Sequence, residues 1–124
     1  MQKKDHSNID TGRLGEEIAF EFLKRNGIKI LGKNLRTPYG EIDLLGEQED
    51  CLIFFEVKTR RTKHFGFPEN SVHSTKQEHM VHSAMAYLQE NDELERPWRI
   101  DVIAVNLFPS KPPEIEWFKN AISS

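Results

Sequence analysis

Apolar and polar positions follow two different periods along the 124-residue chain, and each change of period marks an element. At about 100° per residue, Gly15, Ile18, Ala19, Phe20, Phe22 and Leu23 fall on one arc, while Glu17, Glu21, Lys24 and Arg25 fall outside it. This predicts a helix capped by Asp10 or Thr11 and stopped near Asn26, with Gly27 supplying the left-handed residue that ends it. Residues 28–36 follow as a strand, Pro38 and Gly40 turn the chain, and residues 40–45 form a second strand before a hairpin loop over 46–50. Residues 51–58 (C-L-I-F-F-E-V-K) are apolar on both faces until their end, as in a central covered strand. Ser74 and Gln77 make a capping box for a second helix to about residue 90, with Met80, Val81, Ala84, Tyr87 and Leu88 on its apolar face. Residues 98–107 read as another strand and 114–118 as a short last one. The order α-β-β-β-α-β, with that short last strand, is a meander followed by a helical crossover. It predicts an α/β domain over 11–124, a mixed central sheet with helices packed on it, behind a loose tail over 1–10.

Composition narrows the class. Hydrophobic residues at 37% and charged residues at 30% suit a soluble globular domain, and no apolar run approaches the ~18 residues of a membrane span. The polar start of the chain is unlike a signal peptide, and the single cysteine, Cys51, fits a reducing compartment; the expected location is cytoplasmic, with no membrane partner. The net charge of -3 argues against a uniformly basic surface, but the stretch K-T-R-R-T-K-H from Lys58 to His64 holds no acid.

The chemistry-bearing residues gather at strand ends. Glu56 and Lys58 point the same way on the central strand, and Glu41 and Asp43 are expected to share a face of the strand before it, with Ile42 and Leu44 on the other. Pairing of the two strands would bring Asp43 to Glu56, where carboxylates about 5 Å apart repel by roughly 3 kcal/mol at an effective dielectric near 20. A divalent cation with hard oxygen ligands relieves that repulsion, and Mg²⁺, with Mn²⁺ as its substitute, suits the set. The alternative is a structural ion pair, Glu56 with Lys58 or Asp43 with Arg36. Glu16 falls inside the apolar arc of the first helix, so it needs a partner: either the helix dipole, or the same metal site reached from helix to sheet. Lys76 and Gln77 open the second helix, as capping and solvated residues or beside a substrate phosphate. His79 and His82 have zinc-compatible spacing but lie on the predicted solvent face with no cysteine pair nearby. Asp101 is expected to partner an arginine.

Seven short runs carry a resemblance. G-R-L-G-E-E-I-A (12–19), N-L-R (34–36), G-E-I-D-L-L (40–45), F-F-E-V-K-T-R (54–60), F-G-F-P (65–68), V-H-S-T-K (72–76) and R-I-D-V-I-A-V (99–105) resemble the YraN family of bacterial endonuclease-like proteins. That family is similar to archaeal Holliday-junction resolvases and PD-(D/E)xK nucleases. The resemblance implies a restriction-endonuclease-like fold, with Glu16, Asp43 and Glu56 as metal carboxylates and Lys58 as the catalytic lysine. The superfamily's proline before the aspartate is replaced by Ile42. The implied activity is Mg²⁺-dependent hydrolysis of phosphodiesters in nucleic acid, with DNA as the expected partner and a homodimer as the expected assembly. Arg36, Arg60, Arg61, Lys63, Lys76 and Gln77 would hold phosphates; for the loop after the strand the alternative is a solvated charged surface. Two other functions stay open: a non-catalytic module binding nucleic acid or protein, and a structural protein whose acids form an ion-pair network.

Overall fold

The computed structural model describes residues 7–61 and 74–122. Two helices and five strands follow one another as α1 (Ser7–Arg25), β1 (Lys29–Thr37), β2 (Gly40–Gln48), β3 (Cys51–Arg61), α2 (Ser74–Glu90), β4 (Trp98–Leu107) and β5 (Glu114–Ile122). The strands form one sheet in the order β1-β2-β3-β4-β5, antiparallel throughout except for the parallel pair β3/β4 that α2 connects. This mixed α/β architecture is compatible with a restriction-endonuclease-like fold.

Alternation along the central strands gives each helix its own core. Ile53, Phe55 and Val57 of β3 join Ile103, Val105 and Leu107 of β4 beneath Ala19 and Leu23 of α1. Leu52 and Phe54 join Ile100 and Val102 beneath Ala84 and Leu88 of α2. β3 and β4 are therefore covered on both faces, as their unbroken apolar runs require.

Both helices end in the same way. After α1, Ile28 N–H donates to Leu23 O at 3.0 Å and Gly27 N–H to Lys24 O at 3.2 Å, with Gly27 at φ 88°. These are the paired bonds of a Schellman cap, and the buried Leu23 and Ile28 supply its apolar contact. After α2, Glu93 N–H donates to Leu88 O at 2.8 Å across Asp92 at φ 56°.

Four boundaries differ from expectation, among them the end of β3, which runs to Arg61 and so carries Arg60 and Arg61 on the strand where a loop after Lys58 was expected. α1 begins at Ser7, so residues 7–10 are helical, because periodicity reveals a helix only where it is amphipathic. β2 runs through Gly46 to Gln48, leaving a two-residue turn at Glu49 and Asp50, where a loop over 46–50 was expected. Gly46 is not a breaker: a Cβ there would lie 2.5 Å from Ile28 Cγ2 and 3.0 Å from Phe55 Cε2, so the missing side chain admits both core residues. β5 extends to Ile122, four residues past its expected end, closing on the buried Ile100 of β4.

Candidate active site

A local break in the sheet sets the site. The β2/β3 ladder runs from Gln48↔Cys51 to Leu44↔Phe55 and goes no further, so the C-terminal half of β3 parts from β2. On the other side of β2, the pairs Lys33↔Leu44 and Leu35↔Ile42 leave Asn34 facing Asp43, and Asn34 takes φ 51°. The irregularity overturns the simple alternation expected for β2. Ile42 packs with the α2-side core and Leu44 with the α1-side core, so the two do not share a face. Asp43, between them, turns into the gap, and its Oδ2 accepts the Val57 N–H at 2.9 Å. The carboxylate takes over a backbone donor left without a carbonyl from β2.

Glu56 follows Leu52 and Phe54 onto the α2 face and is buried, 6% exposed. Its Oε2 receives two ammonium groups, Lys58 Nζ at 3.3 Å and Lys76 Nζ from the first turn of α2 at 3.0 Å. The expected pair Glu56–Lys58 is thus present, and Lys76 joins it. Burial would lower the Lys76 pKa, but hydrogen bonding and attraction to Glu56 outweigh it and hold the ammonium above its ordinary value.

Glu16 comes from the opposite layer. Gly15 beside it lies hard against Thr59 of β3, where an added Cβ would sit 2.6 Å from Thr59 Cβ. That close approach draws the start of α1 onto the sheet at the separated end of β3. Glu16 is half-buried, and its Oε1 accepts from Asn34 Nδ2 at 3.1 Å. The out-of-place acid on the apolar arc therefore has its partner.

Burial and two neighbouring acids act together on Asp43. Its carboxyl is pushed up to about 8, first by burial, then by the charge of Glu56 and more weakly by that of Glu16, with a hydrogen bond to Glu56 adding to the rise; the Val57 N–H works against it. Asp43 therefore holds its proton far more tightly than an ordinary aspartate. Among the described residues no three Asp, Glu, His or Cys side chains are gathered to hold a metal as they stand. Glu16 is engaged by Asn34, and Glu56 is engaged by ammonium groups.

The other expected residues distribute as follows. Arg60 is half-buried, with Nε donating to Asn106 Oδ1 at 2.9 Å; Asn106 is itself buried. Arg61 is exposed and donates from Nε to Thr11 Oγ1 at 2.9 Å. Arg36 stands on the edge strand opposite Glu41, away from the Asp43 bond, so the alternative pair of Asp43 with Arg36 is replaced by the Val57 contact. Gln77 is half-buried in the first turn of α2, while Lys63 and His64 lie outside the described residues. His79 and His82 are both exposed, and the His82 ring meets Tyr39 with centroids 5.2 Å apart. Asp101 is fully buried; it accepts from Arg99 Nε at 3.0 Å, Trp117 Nε1 at 2.9 Å and Asn120 N–H at 2.7 Å.

Two positioning residues were not singled out from sequence, Asn34 and Asn106. For Asn34 a signal existed: asparagine is depleted in strands and enriched at positive φ, and here it interrupts the strand expected over 28–36. Asn106 gives none, since it sits within an unbroken strand pattern.

The family described as "Uncharacterised protein family UPF0102" matches residues 15–105, a span that contains Glu16, Asn34, Asp43, Glu56, Lys58 and Lys76. The chain belongs to the UPF0102 family. It is 41% identical over 118 residues to the UPF0102 protein of Dehalococcoides mccartyi, covering 94% of this chain and 96% of that one. It is 42% identical over 118 residues to that of Syntrophotalea carbinolica, covering 94% of each. The UPF0102 protein of Thermodesulfovibrio yellowstonii is 40% identical over 115 residues, covering 93% of this chain and 97% of that one. The YraN-like motifs and this membership agree. Among the described residues no helix is long and apolar enough to cross a membrane.

Proposed function

We propose that this UPF0102 protein is a divalent-cation-dependent nuclease that hydrolyses phosphodiester bonds of nucleic acid, DNA foremost. One observation carries the proposal: where β2 and β3 part, the Asp43 carboxyl turns onto the Val57 N–H at 2.9 Å, next in the chain to the buried Glu56 that holds the Lys58 and Lys76 ammonium groups. Burial and the charge of Glu56 raise the Asp43 carboxyl well above the ordinary aspartate range, and active sites are where such perturbation concentrates. The donor set fits a hard cation: it offers carboxyl oxygens without sulfur or imidazole, and ammonium groups already sit where positive charge is favoured. Mg²⁺ or Mn²⁺ held by Asp43 and Glu56, with help from Glu16, would supply Lewis-acid polarisation of the phosphate and acidify a water.

The chain's own residues do the rest. The Val57 N–H fixes the Asp43 carboxyl, so one oxygen is oriented before any ligand arrives. Asn34 sets the reach of Glu16. Lys58, at the rim of the site and 3.3 Å from Glu56, orients a water and offsets charge as it builds on phosphorus. Arg60, held by the buried Asn106, presents a fixed cation for a flanking phosphate.

The test is cleavage of branched, duplex and single-stranded substrates by the purified protein with Mg²⁺ or Mn²⁺ and with chelator, beside Asp43→Asn and Lys58→Ala. Metal-dependent cleavage lost in both variants is the expected result. Cleavage that persists in both removes these residues from the chemistry. DNA binding without metal binding or cleavage would instead establish a non-catalytic module.

A further inference from the structure

The contact of Lys76 with Glu56 has no place in the constellation above, yet it is shorter than that of Lys58. Both ammonium groups approach the same oxygen, Glu56 Oε2, at 3.0 and 3.3 Å. Their settings differ. The Lys58 side chain is 25% exposed and fixed on a central strand, whereas Lys76 is 42% exposed and reaches in from the first turn of α2. Inward there is no room for a third group: the hollow beneath Glu56, lined by Glu41, Ile42, Phe54, Met80, Ser83 and Ile100, has a volume of about 10 Å³, scarcely one water. Any cation that joins Glu56 must come from the solvent side, where Lys76 now stands.

We propose that Lys76 is an exchangeable counter-ion: it occupies the cation position on Glu56 until a divalent ion arrives, then swings outward to bind a phosphate of the nucleic acid. This rests on the reading of Asp43 and Glu56 as metal ligands and gives that site a coupling between its two ligands. An ammonium and a divalent cation cannot share Glu56 Oε2 without strong repulsion, so one must leave. The half-exposed lysine on a four-carbon stem leaves more easily than the strand-borne one. Once released it lies at the mouth of the site, near Lys58, and a phosphate is the partner whose charge it lacks. Metal and nucleic acid then favour each other, since each takes one end of the exchange.

The experiment is calorimetric titration of Mn²⁺ alone into the wild type, Lys76→Met and Lys76→Arg, followed by binding of duplex DNA in Ca²⁺ at fixed salt. Lys76→Met, which keeps the stem and removes the charge, is expected to bind Mn²⁺ about tenfold more tightly, within the roughly 5–150-fold of coupled sites. The same variant should bind duplex DNA more weakly, and Lys76→Arg should stay near the wild type in both. Thermal melts establish that each variant is folded. Equal or weaker Mn²⁺ binding by Lys76→Met, with binding intact in the wild type, overturns the exchange and leaves the metal site standing. Tighter Mn²⁺ binding with unchanged DNA affinity overturns the transfer to phosphate. Absence of Mn²⁺ binding in all three proteins removes both the exchange and the metal site on which it rests.

Discussion

At the scale of single residues, Asp43 is the most informative. Its folded pKa of about 8 lies far above the 3.8 of an unhindered aspartate, so the folded chain binds this proton more tightly than the unfolded one. Its contribution to stability is complete below about pH 4 and is lost as the pH rises toward 8. The slope is about 1.4 kcal/mol per pH unit, hence up to roughly 4 kcal/mol between pH 5 and pH 8. Asp43→Asn keeps an acceptor for the Val57 N–H and removes that slope. In chelator, the variant should melt near the wild type at pH 5 and well above it at pH 8. A constant difference across that range would show that Asp43 is ionised throughout. Much of this was legible in sequence. Two acids and a lysine at expected strand ends pointed to the site, and Glu16 betrayed itself as a charge on an apolar arc. The bond from Val57 N–H was not legible, because it depends on where a ladder stops, and alternation assumes that ladders continue.

At the scale of elements, close packing draws the start of α1 onto the sheet at the separated end of β3. Gly15 lets α1 touch β3 at Thr59, and a methyl group there would press into a β-branched side chain with little freedom to turn. Gly15→Ala gains helix propensity of about 1 kcal/mol but overpacks the contact, so a net loss of about 1–3 kcal/mol is expected in urea unfolding. Thr59→Ala should recover only part of it, since Thr59 Cβ itself is too close. Full additivity of the two changes would place the strain elsewhere. β4 and β5 are joined similarly at one point. The shift in register between Ile100 and Val102 falls at Asp101, whose carboxylate gathers Arg99, Trp117 and the Asn120 N–H. Asp101→Ala leaves these donors unpaired and should cost about 3–5 kcal/mol in the same assay. A loss below about 1 kcal/mol would mean that water replaces the carboxylate freely. Strong periodicity carried its elements, since α2 and β4 begin where the pattern places them, but the expected cap at Asp10 or Thr11 lies inside α1, which begins at Ser7. Gly46 misled because glycine serves both turns and close approaches, and only the positions of Ile28 and Phe55 tell which.

At the scale of the molecule, a net charge of -3 coexists with a cationic rim. Lys58 and Arg60 stand near the end of β3, Lys76 at the start of α2 meets Glu56 beside Lys58, and Arg61 reaches Thr11 of α1. Composition alone pointed away from a basic surface; the fold collects the cations at the end of the parallel pair, where open α/β sheets commonly bind ligands. The acids stay within the sheet behind them. The account as a whole requires that this interior acid pair hold a divalent ion. A crystal of the wild-type protein soaked in Mn²⁺ tests that most directly. The expected result is an anomalous peak about 2.0–2.3 Å from oxygens of both Asp43 and Glu56, with Lys76 Nζ withdrawn from Glu56. A fully soaked crystal with no peak there, and Lys76 still seated on Glu56, would contradict the account.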